Sequence, residues 1–238
     1  MSAHITHQSK SKKGKKLSNP FTYKLFRDYK HLAKLFYSGQ TFIAFDTETT
    51  GLKASENYVI EIGAVKFNYS GLVGKPFDLL IKPPCPIHPS LTELTHISED
   101  MLKDCPSAKE AMPLFLNYIE SKDAILLAHN APFDLAFVDT ELSRSGINEL
   151  QNLTVDTLPL ARWAWPGLAQ LEEKGQYKLQ SLAKRFNVNV LSAHRAHDDA
   201  RVCMEIFKKI IEDTMNKQKD FSLPSQNQVK ASDQLSLF

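Results

Sequence analysis

The chain has 238 residues, 42% of them hydrophobic and 24% charged, enough for one good-sized core with additions at the ends. Its three cysteines, Cys85, Cys105 and Cys203, are too few and too scattered for a disulfide framework or a zinc site, and no apolar run is long enough to cross a bilayer. The net charge of +2 is uneven, because residues 1–20 hold five lysines and no acid, which leaves the rest of the chain at −3. The opening "MSAHITHQSKSKKGKK" has lysines without an apolar segment behind them, so it does not read as a secretory signal. The expectation is a cytoplasmic protein with no membrane partner. The basic arm reads either as a solvated, disordered leader or as a contact to a polyanion.

Residues 1–20 read as disordered. From Phe21 to Tyr37 the apolar residues Leu25, Phe26, Tyr29, Leu32, Ala33 and Phe36 recur at helical spacing, which predicts an N-terminal helix within residues 21–40. "TFIAF" (Thr41–Phe45) suits a strand buried on both faces. "YVIEIGAVKF" and "FDLLIKP" follow as two more strands, with Gly71, Gly74 and Pro76 marking the turn between them. A helical stretch runs from Ser98 to Glu120. "AILLAHN" (Ala124–Asn130) is a further buried strand, and "APFDLAFVDTELSRSG" a helix closed by Gly146. "LTVDTLPLARWAW" is a short strand entering a helix, "YKLQSLAKRFNV" a helix, and a last long helix ends near Met215. Strands alternating with helices after an opening meander indicate an α/β fold with a mixed sheet flanked by helices. The main domain spans 41–215, and 216–238 reads as a flexible tail.

The acids are unevenly placed. "FDTETTG" ends the first strand and sets Asp46 and Glu48 on one face, with Thr47 on the other. Two such acids are either solvated charges or a pair that needs a cation between them. "HNAPFD" places Asp134 one turn into a helix that follows a buried strand. This suits the helix N-terminus and is also where sites form in open α/β sheets. In "HRAHDDA" the last helix decides the roles. Asp199 aligns with the apolar stripe Cys203, Ile206 and Ile210, so it points inward, where a carboxylate must be paired or metal-bound. Asp198 aligns with Val202, Glu205, Lys209 and Glu212 and reads as a surface charge. His197 aligns with Arg201, Met204 and Lys208 and also reads as surface. His194 precedes the helix, free to reach over its N-terminal end. Converging, Asp46, Glu48, Asp134 and Asp199 would form an oxygen nest for two hard cations, Mg²⁺ or Mn²⁺, of the kind used on phosphodiesters. His194 would serve as the catalytic base.

"FDTETTG", "HNAPFD" and "HRAHDDA", in this order, resemble the three motifs of the DnaQ-like DEDDh 3′–5′ exonucleases, the family that includes the proofreading epsilon subunit of bacterial DNA polymerase III. The third motif, H-x-A-x-x-D, fits His194, Ala196 and Asp199 and skips His197 and Asp198. "DTLPLARWAWPG" and "YKLQSLAKRFNV" resemble the family's intervening text, so the resemblance spans roughly residues 41–212. It implies an RNase H-like sheet, two divalent ions and release of nucleoside monophosphates from single-stranded or frayed DNA 3′ ends. It also implies proofreading or repair, with the polymerase III alpha subunit as a partner. One departure is "LTELTHIS", where Thr95 stands at the position of a substrate-contacting histidine and His96 at that of a glycine. An exoribonuclease of the same fold, or a catalytically inactive interaction module, are the alternatives. The complete acid set argues against the second.

The chain ends in "QLSLF", three apolar side chains closing a polar tail. It resembles the bacterial sliding-clamp-binding consensus, which implies register-fixing polar contacts from Gln234 and buried anchors at Leu235, Leu237 and Phe238. About twenty flexible residues would give this motif a reach of roughly 25 Å.

Overall fold

The computed structural model describes residues 23–217. The lysine arm, most of the tail and all four clamp-motif residues lie outside the described residues. The elements in chain order are α1 (Leu32–Tyr37), β1 (Phe42–Thr49), β2 (Val59–Asn68), β3 (Gly71–Leu72), β4 (Phe77–Leu80), α2 (Pro89–Thr95), α3 (Glu99–Leu102) and α4 (Ala108–Ile119). They continue with β5 (Ile125–Ala128), α5 (Ala131–Arg144), β6 (Thr154–Asp156), α6 (Thr157–Ala164), a 3₁₀ turn (Pro166–Gln170), α7 (Leu179–Arg185) and α8 (Ala196–Lys217).

The sheet runs β3-β2-β1-β5-β6, with β4 also paired to β2. β1 is antiparallel to β2 and parallel to β5, and β5 is parallel to β6. The sheet is mixed, as the alternating strands and helices predict. Helices cover both faces. Phe42 and Ala44 of β1 join one cluster with α1, α6, α7 and α8, while Ile43 and Phe45 join another with α4 and α5. This explains why "FIAF" shows no apolar–polar alternation: neither side of β1 meets water. An aromatic knot closes the end of the sheet away from the acids. There Phe42 and Phe207 ring centroids lie 5.0 Å apart and Phe36 and Phe207 5.6 Å apart.

Two elements differ from the sequence reading. The helix expected within 21–40 is confined to Leu32–Tyr37. Upstream, Leu25 forms a parallel bridge to Thr154, with Phe26 N–H donating to Thr154 O (2.8 Å) and Thr154 N–H to Lys24 O (2.8 Å). β6 ends the strand ladder, and its unpaired backbone groups recruit this segment against its helical periodicity. The helical stretch from Ser98 to Glu120 is broken into α3 and α4. The break holds Pro106, whose carbonyl accepts from Lys82 N–H, and Ser107, which starts α4 with Glu110 as its capping partner.

α8 lies against β1, β2, α6 and α7. Its first turn meets β2 at Gly63, where an added Cβ would stand 2.0 Å from His197 N and 2.2 Å from the Ala196 carbonyl carbon. Only glycine permits that approach. Among the described residues no helix is long and apolar enough to cross a membrane.

Candidate active site

Asp46 and Glu48 leave the same side of β1 near its C-terminal end, both partly exposed. Thr47, between them, is buried, and its N–H (3.0 Å) and hydroxyl (2.7 Å) both donate to Asp134 Oδ1. The alternation of a strand thus does two things. Its odd member holds Asp134 in place, and its even members present acids. Asp134 sits in the first turn of α5, 3% exposed. The start of α5 is held in turn by Asp156, which accepts from Asn130 N–H (3.0 Å) and Leu158 N–H (3.0 Å).

Asp199, 7% exposed, comes from the first turn of α8. Gln180 Nε2 of α7 donates to its Oδ1 at 2.6 Å, and His194 N–H to its Oδ2 at 3.3 Å. His194 is exposed, with φ of 60°, a left-handed conformation that turns the chain sharply into the helix. Ligand atoms of Glu48, His194 and Asp199 all lie within 4.8 Å of one another.

The electrostatics follow from that convergence. Burial, then the charges of Asp134, Asp199, Glu48 and Glu61, hold the Asp46 carboxyl well above the usual carboxylate range. Burial, then Asp199, Glu61 and Asp134, push Glu48 up to about 8, with Arg195 opposing. Burial pushes Asp134 up to about 7 against the hydrogen bonds from Thr47. Burial also raises Asp199, opposed by Gln180. Acids that resist ionising together form a site that favours a cation. Hard oxygen donors beside an imidazole fit Mg²⁺ or Mn²⁺.

The structure corrects the reading of the neighbours. Asp198 is not a surface charge. It is 2% exposed, accepts from Leu191 and Ser192 N–H (both 2.7 Å), and pairs with Arg201 (2.7 Å). Burial works to raise its pKa, but those hydrogen bonds and the Arg201 charge outweigh it and leave it lowered. His197 is half-buried, and Val202 and Met204, placed on polar rows by helical projection, are in the core. α8 is wrapped over more of its circumference than a single stripe.

Thr95 is buried, its hydroxyl donating to Leu91 O (2.8 Å) and accepting from Ile97 N–H (3.2 Å). It faces its own helix end. His96 is exposed at φ 59° as the C-cap of α2, the left-handed position that favours glycine. His129 is structural. One ring nitrogen lies 2.9 Å from the Thr157 hydroxyl and the other 2.8 Å from the Tyr177 carbonyl, and burial lowers its pKa.

Three contributors escaped the sequence reading: Gln180, and the pair Glu61 and Arg195. Glu61 had a signal. It is an acid inside the otherwise apolar "VIEIGAV", and a buried charge needs a partner. A groove of about 480 Å³ is lined by His129, Asn130, Arg162, Gln176 and Lys178, among others, and reaches the N-terminal ends of α5 and α7, the helices that carry Asp134 and Gln180.

The family model for RNase_T exonucleases matches residues 43–207. The chain belongs to the DnaQ-like exonuclease family. It is 46% identical over 170 residues to DNA polymerase III subunit epsilon of Treponema pallidum, covering 71% of this chain and 76% of that one. It is 40% identical over 171 residues to DNA polymerase III PolC-type of Caldanaerobacter subterraneus, where the match covers 72% of this chain but 12% of the far longer relative. E. coli exonuclease I in complex with a dT13 oligonucleotide shares the fold, with a TM-score of 0.66 at 17% identity over 75% of this chain and 42% of that one. Exonuclease X in complex with 5′-overhanging duplex DNA has a TM-score of 0.54 at 28% identity, over 76% and 94%. This DnaQ-like exonuclease is a 3′–5′ exodeoxyribonuclease of the DEDDh type with an RNase H-like sheet. Its family depends on divalent metal ions.

Proposed function

We propose that the chain hydrolyses phosphodiesters at DNA 3′ ends in replication proofreading, using two divalent ions held by Asp46, Glu48, Asp134 and Asp199. The observation that supports it is the convergence of four mutually destabilised carboxylates from β1, α5 and α8 beside an exposed imidazole. When bound, Mg²⁺ or Mn²⁺ lowers the pKa of a water and offsets charge on the leaving oxygen.

The chain's own groups do the rest. His194 takes a proton from the attacking water, whose oxygen bonds to phosphorus. The bond from phosphorus to the 3′ oxygen of the penultimate nucleotide breaks, that oxygen takes a proton from solvent to become the new 3′ hydroxyl, and a nucleoside monophosphate leaves. His194 suits this task because its exposed imidazole, a proton acceptor, stands beside Glu48 and Asp199. Gln180 and the His194 N–H hold Asp199 without neutralising it. The strand behind the terminal nucleotide lies along the groove, where Arg162 and Lys178 face phosphates. Replacing each by alanine should reduce the slope of log affinity against log salt by roughly 0.7. An unchanged slope would remove the groove from the path.

The decisive experiment is digestion of 3′-labelled DNA and RNA oligonucleotides of one sequence, with Mg²⁺, Mn²⁺ or EDTA. The expected result is stepwise release of monophosphates from DNA, abolished by EDTA. Equal or faster loss of RNA would replace this reading with the exoribonuclease one. Intact DNA under all conditions would leave an inactive module.

The carboxyl-terminal "QLSLF" supports tethering to the sliding clamp, with Gln234 fixing register and Leu235, Leu237 and Phe238 filling an apolar pocket. Tethering makes encounter with a primer end effectively intramolecular. Titration of the labelled C-terminal peptide against the host's clamp should show saturable binding. Alanine at Leu237 and Phe238 should abolish it, and equal binding by both peptides would dismiss the tether.

A further inference from the structure

We infer that Glu61 and Arg195, neither of which belongs to the acid–histidine set, form a positioning clamp that sets His194 and Asp199 against Asp46 and Glu48. The inference rests on the exonuclease reading and adds to its machinery. Glu61 is 0% exposed and lies on β2 directly opposite Glu48 of β1. Its Oε1 accepts from Arg195 Nε (2.9 Å) and Nη2 (2.6 Å), and its Oε2 from the N–H of Ala196 (2.8 Å), the first residue of α8.

The carboxylate therefore grips two consecutive residues of the tripeptide that begins at His194. One contact is a charge-assisted fork. The other satisfies an orphan N–H at the positive end of the helix. Two residues along β2, Gly63 removes the side chain that would hold α8 away, and Gly63 is itself opposite Asp46. β2 supplies no acid to the proposed ion site, yet it fixes the third motif relative to the first at two points. Among the described residues no side-chain hydrogen bond orients His194, and it stands in a left-handed turn. Its placement depends on what pins the next two residues.

The test is Glu61→Gln in the full chain. The amide oxygen still accepts from Ala196 N–H, and the shape is kept, but the charge facing Arg195 is lost. Turnover on a short DNA oligonucleotide with Mn²⁺ should fall about tenfold with KM unchanged. In a His194→Ala background the same change should cost less than about twofold, because residues acting through one another are non-additive. A stability defect alone reduces the folded fraction in both backgrounds alike. A second readout needs no activity. The imidazole resonance of His194 in the metal-free protein, identified by its loss in His194→Ala, should move in Glu61→Gln.

Equal cost in both backgrounds with an unmoved resonance would overturn the clamp and leave the exonuclease reading standing. Full activity of His194→Ala would instead overturn the base assignment, and the clamp with it. If Glu61→Gln does not fold, Arg195→Lys keeps a cation against Glu61 but breaks the fork, and carries the same comparison.

Discussion

On one flank of the first turn of α8, Asp198 meets a guanidinium and two backbone N–H groups. On the other, Asp199 meets a neutral amide, one longer N–H contact and a crowd of carboxylates. Both side chains are almost wholly buried. Asp198 is an acid the fold has paid for with partners, and its pKa is lowered; burial raises the pKa of Asp199, and Gln180 and His194 offset it only in part. The difference separates a carboxylate that stabilises the native state from one held in readiness for a cation. The same division holds elsewhere in the domain. Glu61 and Glu141 are buried acids with arginine partners, whereas Asp46 is raised by burial and then by Asp134, Asp199, Glu48 and Glu61.

The comparison breaks most cleanly at Asp199. Asp199→Ala should reduce DNA cleavage below detection while leaving the metal-free melting temperature unchanged or higher, since like-charge repulsion is relieved. Cleavage within tenfold of the parent would sink its assignment. His194→Ala should lower turnover by about 10²- to 10⁴-fold, the usual range for a positioned base. Calorimetry should show Mn²⁺ affinity unchanged. A parallel fall in affinity would make His194 a ligand, which its distance from Glu48 and Asp199 permits.

Asp198→Ala should invert the pattern. Loss of a charged acceptor for two N–H groups and Arg201 should cost about 1.5–3 kcal/mol, several degrees of melting temperature for a chain of this size. Turnover of the folded enzyme should stay within a fewfold, because Gln180 still holds Asp199. If turnover collapses as in Asp199→Ala, the two flanks are not independent.

The smallest effect is on pH dependence. Glu48 and Asp134 bind protons more tightly in the folded chain, with values raised to about 8 and about 7. The metal-free protein should therefore lose stability as pH rises from the ordinary carboxylate range through those values. Asp198 acts with the opposite sign, and its contribution is lost as pH falls below the ordinary aspartate value. Saturating Mn²⁺ should flatten or reverse the alkaline loss, because the ion competes with protons and binds only the folded state. Melting curves at several pH values, with and without Mn²⁺, check this. Identical slopes in both series would count against the nest.

Much of this site is local and so was readable in one dimension. Strand alternation puts Asp46 and Glu48 on one side and Thr47 on the other, as observed, and the row Cys203, Ile206 and Ile210 marks Asp199 as inward. Flanking by helices on both faces was legible in the unbroken apolar runs of β1 and β5. Those features follow from backbone periodicity, which any stretch of chain carries within itself. The tertiary structure alone decided which polar groups meet. Asp198 is buried because a loop at Leu191 and Ser192 turns its N–H groups onto it. Residues 23–31 are not helical because β6 offers an edge. Glu61 reaches Arg195 across 134 positions of sequence. A buried charge announces that it needs a partner, but the partner's identity is set by the packing of distant segments, where desolvation makes each pairing strong and specific.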